Sequence, residues 1–151
     1  MLFRSYQVYC SAARGCLCAQ GIGCAPELLE INAEDEQSTR EQLSDILRRR
    51  PLGGIIAASA RATYWVCEEV ERHLNDPKQR PPVVGTDVFA EQQAFFESGT
   101  LRATICQSHT GFGPRALQYL LNSLVNLDVE SGVRFYEPIS IVMKNNFRFF
   151  L

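Results

Sequence analysis

Short apolar runs rich in isoleucine and valine alternate with longer amphipathic stretches along most of the chain. The clearest runs lie at residues 53–58, 83–86 and 101–107. A strand, a helix and a parallel strand form a βαβ unit, whose buried strands have nearly continuous apolar sequences. The sequence therefore predicts an α/β fold: a parallel sheet with helices on both faces, in three layers.

Five stretches have the apolar spacing of helices, at residues 5–20, 35–50, 60–74, 88–97 and 113–126. In the second, Ser38 and Glu41 have the spacing of a capping box. In the last, Gly113 and Pro114 favour a helix start, because proline suits the first helical position. Residues 26–32 and 133–143 are expected to be extended, the latter with a break near Pro138.

Length and charge limit the classes of protein to which the chain can belong. Its 151 residues suit a single domain, residues 1–151. The formal net charge of −2 gives no global electrostatic case for nucleic-acid binding. No run approaches the ~18 apolar residues of a membrane span, and the first residues do not form a signal peptide. We therefore expect a cytoplasmic domain that does not contact membranes.

Four of the six cysteines, Cys10, Cys16, Cys18 and Cys24, lie near the start of the chain. Their spacing differs from the paired pattern that metal sites use. If residues 10–18 form one helix, Cys16 points away from Cys10 and Cys18. A disulfide framework would need a secreted context. We therefore expect unreactive thiols, with no metal site and no cofactor.

Polar residues end three consecutive predicted strands. Ser59 follows the first, Asp87 follows the second, and Gln107 ends the third. The carboxyl ends of parallel strands meet at one edge of a sheet, which is where ligands bind in such folds. A hydroxyl, a carboxylate and an amide together suit the donors and acceptors of a sugar or polyol.

Each of these residues also has a purely structural interpretation. Ser59 and Asp87 are both good caps for the helices that follow them, and Gln107 can be a solvated turn residue. Arg61 and Trp65 lie one helical turn apart and are further candidates for the same edge. Trp65 can equally be a core residue, as most tryptophans of this kind are.

The run VVGTDVFAEQQAFFESGTLRATICQSHTGFGPRALQYLL, residues 83–121, resembles the effector-binding domain of lac-repressor-like regulators and their periplasmic sugar-binding relatives. It has a strand ending in Gly-x-Asp, a helix, a strand ending in Gln107, and a helix with a glycine near its start. The segments IIAASARATYWVCEEV and PISIVMKNN resemble flanking parts of the same family, so the resemblance covers about residues 26–146.

The resemblance implies that Asp87 accepts hydrogen bonds from sugar hydroxyls and that Gln107 contacts the ligand at the hinge. Where the family usually has Asn-Asp, this chain has Ser59-Ala60, so the ligand need not be an ordinary hexose or pentose. An arginine from the first helix of the lobe also usually contacts the ligand. Arg4 and Arg14 are the candidates for it here.

Family members have two lobes with the ligand between them, and the regulators add an N-terminal helix-turn-helix. This chain resembles the second lobe and the crossover segments, so DNA contact would need a missing N-terminal domain. The leucine stripe of residues 113–126 would lack its usual partner lobe, and we expect a homodimer or a helix-swapped oligomer. The implied function is a truncated effector-binding domain of a transcriptional regulator; the alternative is a fragment of a periplasmic solute-binding protein.

Three rival classes have less support. A receiver domain needs a lysine after its last strand, and none follows LRATICQ in that place. A hydrolase would have to use Cys106 or Ser108 with His109, but neighbours in sequence rarely align as nucleophile and base. A dinucleotide-binding domain needs G-x-G-x-x-G after a strand, and GFGPR from Gly111 lacks the third glycine. We therefore expect no enzymatic activity.

Overall fold

The computed structural model describes residues 15–16, 19–21, 27, 29, 35–49, 51–107, 109–125 and 138–151. Several parts of the chain lie outside these ranges: most of the predicted segments 5–20 and 26–32, the candidates Arg4 and Arg14, and residues 126–137. The described elements are helix α1 (Glu36–Arg49), strand β1 (Ile55–Ile56), helix α2 (Ala60–His73), strand β2 (Val83–Thr86), helix α3 (Gln92–Ser98), strand β3 (Leu101–Gln107), helix α4 (His109–Leu124), strand β4 (Ile139–Val142) and a 3₁₀ helix (Phe147–Phe149).

The strands form one four-stranded sheet in the order β1-β2-β3-β4. Strands β1, β2 and β3 are parallel, with α2 and α3 as their connections, so the α/β fold class is confirmed. Strand β4 pairs with β3 in the antiparallel direction. The sheet is therefore mixed rather than entirely parallel, since an antiparallel strand at the edge of a parallel sheet is a common arrangement.

One predicted helix cap and two predicted helix starts are wrong, each for a local reason. Helix α1 is capped by Asp35, whose carboxylate accepts a 3.0 Å hydrogen bond from the amide of Ser38, so Ser38 lies inside the helix. Helix α3 begins at Gln92 rather than residue 88, because Asp87 has a positive φ of 64° and cannot join a right-handed helix. Helix α4 already begins at His109, and Pro114 lies inside it.

The core lies between one face of the sheet and helices α2 and α3. It consists of buried apolar side chains from the sheet, the helices and the 3₁₀ helix: Leu43, Ala57, Ala62, Trp65, Val66, Cys67, Val70, Val83, Phe95, Phe96, Leu101, Val142 and Phe147. Helix α2 approaches β2 most closely at Gly85, where an added Cβ would overlap the Thr63 side chain. This close contact brings the first turn of α2 against the end of the sheet.

Helix α1 is attached to α2 by a network of ion pairs around Glu69, whose side chain is fully buried. Its carboxylate accepts hydrogen bonds from Arg40 at 2.9 Å and from the Ser44 hydroxyl at 3.1 Å, and it pairs with Arg72 at 2.9 Å. Burial alone would raise the pKa of Glu69, but these partners lower it below its ordinary value. The buried charge is therefore compensated, as a stable structure requires.

The opposite face of the sheet carries exposed isoleucines. The side chains of Ile56, Ile139 and Ile141 are 64–65% exposed. The described helices α2 and α3 pack on the other face, so they leave this one uncovered. Among the helices of the described ranges, none is both long enough and apolar enough to span a bilayer.

Candidate functional site

The carboxyl ends of the three parallel strands are joined by hydrogen bonds at one edge of the sheet. The Thr86 hydroxyl donates to the carbonyl of Ala57 at 2.9 Å, which joins the ends of β1 and β2. The amide of Asp87 donates to the carbonyl of Ile105 at 2.8 Å, which joins the end of β2 to β3. The segments that carry Ser59, Asp87 and Gln107 are thus neighbours, as the sequence predicts.

Asp87 does not serve as a helix cap. Helix α3 begins five residues later, and Glu91 occupies its N-cap position. The main chain of Asp87 is held in the left-handed region by two hydrogen bonds to its carbonyl oxygen, from the Thr104 hydroxyl at 2.7 Å and from the side-chain amide (Nε2) of Gln92 at 3.1 Å. The half-buried carboxylate is therefore presented at the edge by a fixed turn.

Ser59 is the N-cap of α2. Its hydroxyl accepts a hydrogen bond from the amide of Ala62 at 3.2 Å, and its carbonyl accepts one from the Thr63 hydroxyl at 2.8 Å. The capping interpretation of Ser59 therefore describes the structure. Gln107 is half-buried, ends β3, and lies opposite Ile139 of β4.

Arg61 and Trp65 occupy different environments. Trp65 is 6% exposed and belongs to the core, so its ring does not lie open at the edge of the sheet. Arg61 is exposed, and its guanidinium carbon lies 5.9 Å from the centre of the Trp65 ring. The cation–π contact with Trp65 positions the Arg61 head group near the start of α2.

A shallow groove of about 410 Å³ lies where α2 begins and the chain turns after β2. It is lined by Ala60, Arg61, Tyr64, Phe89 and Glu91. The rings of Tyr64 and Phe89 have centroids 6.3 Å apart. Sequence reasoning identified Arg61 in this set and missed the two aromatic residues and Glu91. Their signal was their position: Tyr64 lies one helical turn after Ala60, and Phe89 and Glu91 lie two and four residues after Asp87.

The groove combines apolar ring surface with groups of opposite charge. The Tyr64 hydroxyl is hydrogen-bonded to Glu68, and this bond, the negative charge of Glu68 and burial raise the pKa of Tyr64. The ring of Tyr64 is therefore the part available to the groove, while Arg61 and Glu91 supply a donor and an acceptor. Such a mixture suits a ligand with both apolar C–H surface and hydroxyl groups.

The described residues near this edge do not form a nucleophile with its base. Burial raises the pKa of the Cys106 thiol, and the nearby charge of Asp87 adds to this effect. The thiol therefore stays protonated and is a weak nucleophile. The side chains of Ser108 and His109, the other members of the hydrolase hypothesis, lie outside the described residues. Within the described part of the chain, no group of His, Cys, Asp and Glu residues is placed to hold a metal ion.

A serine, a histidine and a glutamate do meet elsewhere, between α1 and α2. The Ser44 hydroxyl lies 2.7 Å from Nε2 of His73, and Glu69 lies 3.3 Å from the same nitrogen. A catalytic relay needs the acid on the other ring nitrogen, where it orients the base. This trio is therefore part of the ion-pair network and not a relay.

The fold is found in solved structures of sugar-binding proteins. A solute-binding protein of an ABC transporter from Agrobacterium vitis, bound with α-D-tagatopyranose, matches with a TM-score of 0.71 and 15% identity, over 89% of this chain and 44% of that one. A carbohydrate transporter from Acidothermus cellulolyticus 11B, in complex with myo-inositol, matches with a TM-score of 0.70 and 20% identity, over 91% and 47%. This chain shares the fold of about half of a periplasmic binding protein.

GanP, a glucose-galactose binding protein from Geobacillus stearothermophilus, matches with a TM-score of 0.65 and 20% identity, over 74% of this chain and 39% of that one. The chain thus spans less than half of each of these three structures. No protein-family model matches it, and no curated protein matches it. The expected likeness to periplasmic sugar-binding proteins is confirmed for the fold.

Proposed function

We propose that this chain binds a small carbohydrate or polyol at the carboxyl edge of its sheet and forms one of the two walls of a binding cleft. The observation that carries the proposal is the groove between the start of α2 and the turn after β2, at the sheet edge where ligands bind in open α/β folds. Asp87 lies two residues before Phe89 of the groove's lining, and neither Asp87 nor Gln107 lines the groove itself. The groove is shallow, which is consistent with a ligand that a second lobe covers from the other side.

Each group at the edge has a role in this proposal. The Asp87 carboxylate and Glu91 accept hydrogen bonds from sugar hydroxyls, and Arg61 donates to ring or hydroxyl oxygens. The rings of Tyr64 and Phe89 contact the apolar face of the sugar ring. Gln107, at the end of β3, is the further contact that the family resemblance implies. Ser59 acts indirectly, by fixing the start of α2.

The similar solved structures support the ligand class. The ligands named for them are α-D-tagatopyranose, myo-inositol, and glucose or galactose. All are small, rich in hydroxyl groups, and similar in size to one another. This chain spans under half of those proteins, and the family resemblance implies a second lobe, which the proposed cleft needs.

Within this function, we propose that the chain is the effector-binding lobe of a cytoplasmic lac-repressor-like transcriptional regulator and has no enzymatic activity. The resemblance of residues 83–121 to the effector domain of that family supports this choice. DNA contact would come through a separate N-terminal domain. A fragment of a periplasmic solute-binding protein uses the same lobe and fits the similar structures equally well. The exposed leucines of α4 support self-association, as a homodimer or a helix-swapped oligomer.

The test is thermal unfolding of the chain with millimolar tagatose, myo-inositol, D-fucose, glucose, galactose and their phosphates. A ligand that binds only the folded state raises the melting temperature, and the shift grows with its concentration. We expect a shift with at least one sugar and its loss in Asp87→Asn, which keeps a residue that tolerates the left-handed region. Phe89→Ala should weaken the shift as well.

Glu97→Gln is the matched control, because Glu97 is an exposed carboxylate on α3 that does not line the groove. It should keep the full ligand-induced shift. The proposal fails if no member of the panel stabilises the wild-type chain. It also fails if the shift is unchanged in both Asp87→Asn and Phe89→Ala.

A further inference from the structure

We infer that the ligand of the groove carries a positively charged ammonium group, as an amino sugar does, and that this group lies beside the Phe89 ring and the Glu91 carboxylate. The inference rests on the proposed function, because it names the ligand class of the same site. It goes beyond that function, since the ligands named for the similar structures, α-D-tagatopyranose, myo-inositol, glucose and galactose, are all uncharged.

One short loop supplies the acidic side of the groove. Phe89 and Glu91 line the groove, and Asp87 lies two residues before Phe89. The loop is held by Gln92, whose side chain is fully buried. Its Nε2 donates a 3.1 Å hydrogen bond to the carbonyl of Asp87, and its Oε1 accepts a 3.4 Å hydrogen bond from the amide of Phe89. The loop is therefore fixed by the protein itself, and such preorganisation favours binding.

Glu91 contributes a carboxylate that is unpaired within the described part of the chain. It occupies the N-cap position of α3, but its side chain makes no capping hydrogen bond, and no described side chain forms an ion pair with it. Glu68, by contrast, is paired with Arg40. Glu68 and burial raise the pKa of the Tyr64 hydroxyl, and the charge of Glu91 adds to this effect. The negative charge of Glu91 therefore acts on the groove.

Arg61, the basic residue of the lining, has an aromatic partner of its own. Its guanidinium carbon lies 5.9 Å from the centre of the Trp65 ring, and Trp65 does not line the groove. Together, Arg61, Asp87 and Glu91 give one guanidinium and two carboxylates, a net charge of −1. A local field of this sign attracts a cation and repels a carboxylate or a phosphate. Charge therefore favours an ammonium group over the anionic groups of sugar acids and sugar phosphates.

The aromatic rings distinguish an ammonium group from a hydroxyl. The rings of Tyr64 and Phe89 both line the groove, with centroids 6.3 Å apart and planes inclined at 52°. The ring of Phe95, which is buried in the core, meets the Tyr64 ring edge-on at 5.6 Å. A cation beside such rings is attracted by their π electrons, a contact that a neutral hydroxyl lacks. An ammonium group also donates up to three hydrogen bonds, and those to a carboxylate such as Glu91 are charge-assisted.

The test compares sugars that differ at one carbon atom. Binding of D-galactosamine, D-galactose and N-acetyl-D-galactosamine is measured by isothermal titration calorimetry at pH 6.5 and low ionic strength, and the corresponding sets for glucose and mannose are measured in the same way. Only the amino sugar of each set is charged. We expect one amino sugar to bind about 3–10-fold more tightly than both of its neutral counterparts, with the preference shrinking at high salt.

Two variants locate the ammonium group. Glu91→Gln removes the unpaired carboxylate, and Phe89→Leu keeps an apolar side chain without a π face. Each should reduce the preference for the amino sugar to about 2-fold or less, although binding of the neutral sugars also weakens. Glu97→Gln changes an exposed carboxylate of α3 outside the groove and should keep the full preference. The preference is a ratio within one protein, so an unfolded fraction of a variant affects all sugars alike.

Three results would overturn the inference, and they separate it from the proposed function. If neutral sugars bind and the amino sugars bind no more tightly, the inference is wrong and the proposed function stands. If no sugar of either kind binds, both are wrong. If the preference survives in both Glu91→Gln and Phe89→Leu, the ammonium group lies elsewhere and the inference is wrong.

Discussion

The hydroxyl of Thr104 donates a 2.7 Å hydrogen bond to the carbonyl oxygen of Asp87, so the central strand β3 holds the turn that follows β2. Thr104 is completely buried, and Asp87 has a φ of 64°. Left-handed backbone costs a residue with a Cβ about 1–2 kcal/mol, and aspartate tolerates it better than most. The turn at the proposed ligand site is thus maintained by a hydrogen bond from the core.

We expect Asp87→Ala to be about 0.5–1 kcal/mol less stable than Asp87→Gly, because glycine adopts positive φ without strain. Both variants lose the same carboxylate, so the difference between them reports the backbone alone. Urea unfolding of the two proteins measures it. Equal stability would mean that residue 87 does not adopt the left-handed conformation.

Gly85→Ala should destabilise the chain by roughly 1–3 kcal/mol, since the added methyl overlaps the buried Thr63 side chain. Thr63 cannot easily move, because its hydroxyl accepts from the amide of Thr86 at 3.0 Å and donates to the carbonyl of Ser59 at 2.8 Å. Gly53→Ala is the control, as a Cβ there meets open space. A Gly85→Ala protein as stable as this control would contradict the described packing of α2 on β2.

The stability of the chain should depend on pH through Glu69. Its pKa is lowered on folding, so its contribution to the free energy of unfolding is complete above the unfolded pKa, about 4.3, and is lost as pH falls through the lower folded pKa. Glu69→Gln removes that contribution. We therefore expect the variant to be less stable than the wild type at pH 7, with the difference shrinking below about pH 4.

Urea unfolding between pH 2.5 and 7 tests this expectation, with the exposed Glu97→Gln as the comparison. The Glu97 variant should follow the wild-type pH dependence. If the difference between Glu69→Gln and the wild type stays constant across the whole pH range, Glu69 is not the group whose ionisation stabilises the α1–α2 contact.

Cys67 should resist alkylation in the folded chain. Burial raises its thiol pKa to about 12, and the charge of Glu71 adds to the effect. The reactive thiolate is then scarce at pH 8, so we expect labelling by iodoacetamide on the order of 10³-fold slower than at an exposed thiol. Cys16 is exposed and provides the comparison. Peptide mass mapping over time gives both rates, and similar rates would contradict the burial of Cys67.

The sequence predicted β2 and β3 with their bounds because buried strands have unbroken apolar runs. It also predicted α2 to within a residue, since Ser59 is a strong cap and Val66 and Val70 mark the buried face. The start of α3 was misplaced because the sequence pattern does not report the left-handed conformation of Asp87. Sequence spacing could not decide whether Trp65 packs in the core or lies at the ligand edge of the sheet, because both positions on one helix have the same periodicity.

By itself, the sequence determined the α/β class, the three strands whose ends meet at one sheet edge, and the polar residues Ser59, Asp87 and Gln107 that end them. These follow from apolar periodicity and from residue-specific capping, which are local along the chain. Only the tertiary structure decided that Asp87 is not a cap, that Trp65 is buried, and that Phe89 joins Tyr64 in the groove. It also revealed the uncovered isoleucine face, since burial depends on which distant segments meet.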